Sequence, residues 1–167
     1  ESWQQGQVLL SWDDVLTGAA DPQDGQNVVL HEFAHQLDQE AGAANGAPWL
    51  AGRERRARWA RVMNSEFSRL REGLAGGDCG LFGAYAASEP AEFFAVATEL
   101  FFECPLELAQ AHAALYFELQ QFYRADPLHW LESSPLMVRN QAMADTHFAS
   151  RPFEKERVSS NVWPLRS

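Results

Sequence analysis

Residues 31–35 read His-Glu-Phe-Ala-His, and no other stretch of the chain limits its fold so sharply. Two histidines four positions apart stand side by side only on a helix, one turn above each other; on a strand they would be about 13 Å apart. On a helix the two imidazoles can converge on one ion at the roughly 2.0–2.1 Å of a zinc–nitrogen bond. The neighbours agree, because Val29, Leu30, Phe33, Ala34 and Leu37 recur at helical spacing between Asn27 and Glu40, and Gly42 supplies a left-handed stop. Glu32 points beside such an ion, where a carboxylate can take the proton of a water whose pKa the ion has lowered. An HExxH run on a helix is a zinc-peptidase signature. The bland alternative is a pair of exposed or hydrogen-bonded histidines. Against it, Val28, Val29, Leu30, Phe33 and Ala34 predict a largely buried helix, in which two imidazoles and a carboxylate need strong partners.

A catalytic zinc takes three protein ligands and leaves the fourth position to water. His112, His129 and His147 each stand alone, as surface or capping histidines do. A later helix offers better donors. Ser88-Glu89-Pro90 reads as its start, with Ser88 as N-cap, and Phe93, Phe94, Val96, Ala97, Leu100 and Phe101 carry it to Cys104-Pro105. Glu92 and Glu99 lie two turns apart on one face of this apolar helix, and spacing does not choose between them. Asp38, three residues after His35, can accept a hydrogen bond from a ligand imidazole.

The remaining chain sorts by pattern. Val8 to Trp12 reads as a short buried strand and Asp21 to Gly25 as a turn. Arg53 to Leu74 is an amphipathic helix with Trp59, Val62, Met63, Phe67 and Leu70 on its apolar stripe. Its arginines, interleaved with glutamate, predict a solvated face. Residues 73–83 form a glycine-rich bend, and Leu106 to Tyr123 is another helix, ended by Asp126-Pro127. At 167 residues and 46% hydrophobic, one domain with one core is the expectation. A net charge of -10 argues against nucleic acid or an anionic membrane as direct partner, leaving peptides, proteins and cations. Cys79 and Cys104 are too few for a disulfide framework, and no apolar run approaches the roughly 20 residues of a membrane span, so a soluble cytosolic chain is expected.

His31 to Asp38, Tyr85 to Val96 and Phe101-Phe102, together with Ser2-Trp3, Leu10 to Leu16 and Phe122 to Leu128, resemble the MtfA (Mlc titration factor A) family of bacterial metallopeptidases. The resemblance covers roughly the first four fifths of the chain. It implies a gluzincin-like site related in design to the anthrax lethal factor catalytic domain, with one Zn2+ per chain and Glu92 as third ligand. Tyr85 would then donate to the developing oxyanion, and Glu99 would orient a histidine ligand. It further implies aminopeptidase-like activity on small peptides in the cytoplasm and binding of an Mlc-type transcriptional repressor. Departures from the pattern are Phe82-Gly83-Ala84, where the family carries an acidic residue, and the absence of the family's N-terminal region.

The fold class expected is thus mainly α (α+β): a zincin-like core over residues 1–131 with an HExxH helix, a second ligand-bearing helix and a small sheet. An irregular tail, 132–167, is expected to pack on it. Two rival functions remain in view: a regulator-sequestering protein with a structural zinc, and a metal-free helical interaction module. An intact Glu32 favours catalysis, since a structural site gains nothing from a general base.

Overall fold

The computed structural model describes residues 2–3, 7–40, 42–78 and 80–132. The chain divides into two compact units, 1–129 and 130–167, and the core and site discussed below lie within the first. The expected tail lies outside the described residues apart from Glu132, and so do Cys79 and His147.

The fold is mainly helical. A two-stranded antiparallel ribbon, β1 (Ser2–Trp3) and β2 (Gln7–Val8), pairs Ser2 with Val8 and Trp3 with Gln7 and runs beside α2 (Val28–Gln39). No further strand occurs among the described residues. The strand expected over Val8 to Trp12 is therefore cut short by a helix, α1 (Trp12–Ala20). Ser11 caps α1 by accepting the Asp14 amide, and Asp13 and Asp14 place negative charge in the first turn, where the helix dipole favours it. Trp12 is 71% exposed, which suits the outside of a helix and not a buried strand.

Next come α3 (Arg53–Ala75), a 3-10 turn (Tyr85–Ala87), α4 (Pro90–Glu103), α5 (Pro105–Ala111), α6 (Ala113–Tyr123) and α7 (Pro127–Glu132). Three details differ from expectation. Glu89, not Ser88, is the N-cap of α4, because the Ser88 hydroxyl turns back to donate to the Tyr85 carbonyl at 2.7 Å. The single helix expected over Leu106 to Tyr123 is broken at His112, whose ring is held by Glu66 of α3 at 2.8 Å. The arginine-rich start of α3 is not merely solvated: Arg56 donates to the Leu50 carbonyl, Arg55 to the Gln121 carbonyl, and Arg58 pairs with the buried Glu118 of α6.

The core is built around α4. Its residues are apolar almost all round, so it has to be buried on most sides. Phe93, Phe94, Ala97 and Phe101 are sealed within it, and each phenylalanine contributes about 1.5–3 kcal/mol of burial. Trp59 of α3 packs edge-on against Phe94 at 5.7 Å and against Phe122 of α6 at 5.4 Å. On its other side α4 packs along α2, and that contact positions the site.

Candidate metal centre

Asn27 begins α2 by accepting the amides of Val29 and Leu30 on its side-chain oxygen, at 3.1 and 3.2 Å. Four residues on, His31 and then His35 face α4, which presents Glu92 and Glu99 two turns apart. Nε2 of His31 lies 3.2 Å from Nε2 of His35 and 3.1 Å from Glu92 Oε2, and His35 Nε2 lies 3.5 Å from that same oxygen. Two atoms bound to one tetrahedral ion at 2.0–2.1 Å stand about 3.3–3.4 Å apart, so these separations fit a donor triangle around a zinc-sized ion. Among the described residues, His31, His35 and Glu92 form the group of metal-ligating side chains whose donor atoms converge, all within 4.8 Å.

The opposite nitrogen of His31, Nδ1, is bonded to Glu99 Oε1 at 2.7 Å. In the neutral ring that bond puts the proton on Nδ1 and the lone pair on Nε2, the tautomer a metal needs. Burial by itself pulls the His31 pKa down, but the hydrogen bond and charge of Glu99, with the charges of Glu92 and Glu32, outweigh it and hold the pKa above the ordinary histidine value. In the metal-free protein a proton and a metal ion thus compete for one nitrogen.

Residues 1–124, which include every donor just described, match the family model of the glucose-regulated metallopeptidase M90. The chain belongs to the M90 metallopeptidase family. It is 43% identical over 129 residues to an uncharacterized protein of Synechocystis sp.. It is 41% identical over 137 residues to Mlc titration factor A of Edwardsiella ictaluri, and 38% over 134 to the Escherichia coli protein of that name. These matches take in 77, 80 and 78% of the chain but 47, 51 and 49% of the relatives, so the chain spans about half the length of the relatives it matches.

In this M90 chain the centre opens on a cleft of about 710 Å³ lined by Glu32, Tyr85 and Glu99, with Asp14 and Thr17 on the α1 side and Leu81 on the other. Tyr85 is 62% exposed, its ring centroid 6.1 Å from that of His31, and its hydroxyl donates to Glu92. Burial, that hydrogen bond and the charges of Glu92, Glu32 and Glu99 push its pKa up to about 12. Phe82, three residues before Tyr85, is buried against Phe93 and His112.

Asp38 is fully buried, and its carboxylate accepts the Gly46 amide at 2.7 Å and the Ala47 amide at 2.9 Å. Burial raises its pKa, partly offset by the amides of Gly46, Asn45 and Ala47 and by His35. Gly46 in turn accepts the Trp59 indole N–H at 2.9 Å, and at φ 74 it packs so tightly on α4 that a Cβ would lie 2.5 Å from the Pro90 carbonyl. The loop after α2 therefore joins His35's helix to the first turn of Glu92's.

Two expectations change. Asp38, expected to accept a hydrogen bond from a ligand imidazole, gives its two carboxylate oxygens to the Gly46 and Ala47 amides of the loop after α2. α2 is less buried than its apolar residues suggest: Phe33 is 53% exposed, Val28, His31 and Glu32 line the cleft, and Ala34 and Asp38 are its sealed positions. Of the lone histidines, His112 is occupied by Glu66 and Arg69, and His129 lies on α7. Sequence reasoning missed Asn27. Its signal was an asparagine directly before a helical apolar pattern, the position where a side chain caps the first turn.

Proposed function

We propose that this chain carries a zinc-dependent peptidase centre in which His31, His35 and Glu92 hold one Zn2+, Glu32 is the general base and Tyr85 donates to the developing oxyanion. The observation that carries the reading is the donor triangle, three atoms at tetrahedral spacing on two helices beside a substrate-sized cleft. Zinc held there would act as a Lewis acid and lower the pKa of water towards neutrality. Glu32, one residue off the triangle, takes the proton of the attacking water and returns it to the leaving amine. Tyr85, kept protonated by its raised pKa, offers its O–H to the scissile carbonyl oxygen as that atom gains charge. Glu99 holds His31 through Nδ1, and Asp38 acts on the centre through the loop that it grips.

Three protein donors leave a position that a purely structural zinc site would close with a fourth, which favours catalysis over zinc-stabilised sequestration. The substrate class is short peptides cleaved in aminopeptidase-like fashion, in the cytoplasm, by a core over residues 1–131. An Mlc-type repressor is the protein partner, by analogy with the relatives named Mlc titration factor A. No helix among the described residues is long and apolar enough to cross a membrane.

Glu32→Gln tests the chemistry, because it keeps size and helix propensity while deleting the base. Peptide turnover should fall by roughly two to four orders of magnitude with zinc content retained. Retained turnover would refute the mechanism. Tyr85→Phe should lower turnover about a hundredfold with little change in KM; unchanged turnover would leave Tyr85 as an anchor of the turn before α4.

A further inference from the structure

Glu99 is held by two donors, and the second is not a histidine. Its Oε1 takes His31 Nδ1, while its Oε2 takes the backbone N–H of Asn27 at 2.5 Å. In a capping box the N-cap amide is received by a glutamate on the same helix. Here the receiving carboxylate comes from α4, so the cap of α2 is completed by the helix it packs against. Asn27 and His31 lie one turn apart, and a carboxylate bonded to both is fixed in position against the imidazole.

The side chain of Asn27 makes the second tie, donating from Nδ2 to Glu103 Oε1 at 2.8 Å. Glu99 and Glu103 are four residues apart on α4, a spacing at which like charges repel. Asn27 gives an N–H to each, one from its backbone and one from its amide, and thereby locks the start of α2 in register with the last turn and a half of α4. Its Oδ1 meanwhile holds the amides of Val29 and Leu30.

We propose that Asn27 is a positioning residue of the metal centre: bonded to Glu99 and Glu103 together, it sets the register of α2 on α4 and so presents His31 Nε2 to the ion. The inference rests on the ligand reading above. Zinc affinity, measured by competition with a chromophoric chelator, and the visible spectrum of the cobalt-substituted protein test it without recourse to activity.

Asn27→Asp keeps the cap acceptor but faces Glu103 with an oxygen in place of a donor; Asn27→Ser keeps the cap and loses the Glu103 bond. Both should weaken zinc binding by about 10-fold or more, the scale for partners that orient a ligand, and shift the cobalt bands. Ser11→Ala, which removes the cap of α1, should lower thermal stability and leave affinity and spectrum unchanged. If Asn27→Ser binds zinc within about twofold of the parent with the same cobalt spectrum, the proposal is overturned, whatever the folding of Asn27→Asp. His31→Ala and Glu92→Ala separate the two failures. If these retain zinc, the ligand reading falls and this inference with it; if they lose zinc while the Asn27 variants keep it, the positioning role alone falls.

Discussion

Glu99 and Glu118 are both nearly sealed carboxylates on helices of the same core, yet they are neutralised in different ways. Glu118 on α6 pairs with Arg58 of α3, a guanidinium that keeps its charge at any accessible pH. Glu99 on α4 pairs with His31, whose charge can be withdrawn and whose other nitrogen then offers a lone pair to the donor triangle. The α3/α6 side is built from a fixed pair, and the α2/α4 side from a pair whose state depends on what else occupies the site. A buried charge is thus no mark of function by itself; the exchangeability of its partner is.

The largest effect that separates the two sides is on metal. His31→Ala or Glu92→Ala should abolish stoichiometric zinc in elemental analysis, and Glu99→Gln should weaken binding by roughly 10- to 100-fold. If Glu99→Ala loses zinc while Glu92→Ala keeps it, the two carboxylates exchange roles.

Arg58→Ala probes the other side, leaving Glu118 buried without its cation. A fully buried pair broken this way costs about 3–5 kcal/mol. Since the Arg58 side chain is 40% exposed, screening reduces the expectation to about 1–3 kcal/mol in denaturant unfolding, with zinc affinity unchanged. A parallel loss of zinc would mean that the two sides are coupled.

The smallest effect is in pH. Tyr116, two residues before Glu118 on α6, donates to Asp126 and accepts the Leu128 amide, and burial, with the Asp126 bond, pushes its pKa up to about 12. A folded pKa above the unfolded value of about 10 means that the stability it confers is complete below that pH and lost as pH rises towards 12. The stability difference between the parent and Tyr116→Phe, measured without metal, should be flat through neutrality and shrink across that window. A slope near pH 7 would show that this side also senses protons there.

How much of this was legible in the sequence depends on how far apart the partners lie. The HExxH helix is written within one turn and a half of contiguous residues, and Pro90 marks the start of α4 locally. The choice between Glu92 and Glu99 was not legible, since both share a helix face and their roles are decided by how α4 lies across α2. The break at His112 is made by Glu66, 46 residues away, in a stretch with no breaker of its own. α1 was hidden for a different reason: the apolar run Val8, Leu9, Leu10 and Trp12 mimics a strand, while the structure caps a helix at Ser11 within it.

Gly46 brings the matter to heredity. It touches neither the proposed ion nor the cleft, yet any side chain there would press on the Pro90 carbonyl and displace the turn that carries Glu92. In a saturation-mutagenesis screen scored by zinc uptake, position 46 would therefore behave like a ligand, intolerant even of alanine. A genetic map of this protein would then mark as essential a position that holds no donor atom and lines no part of the cleft.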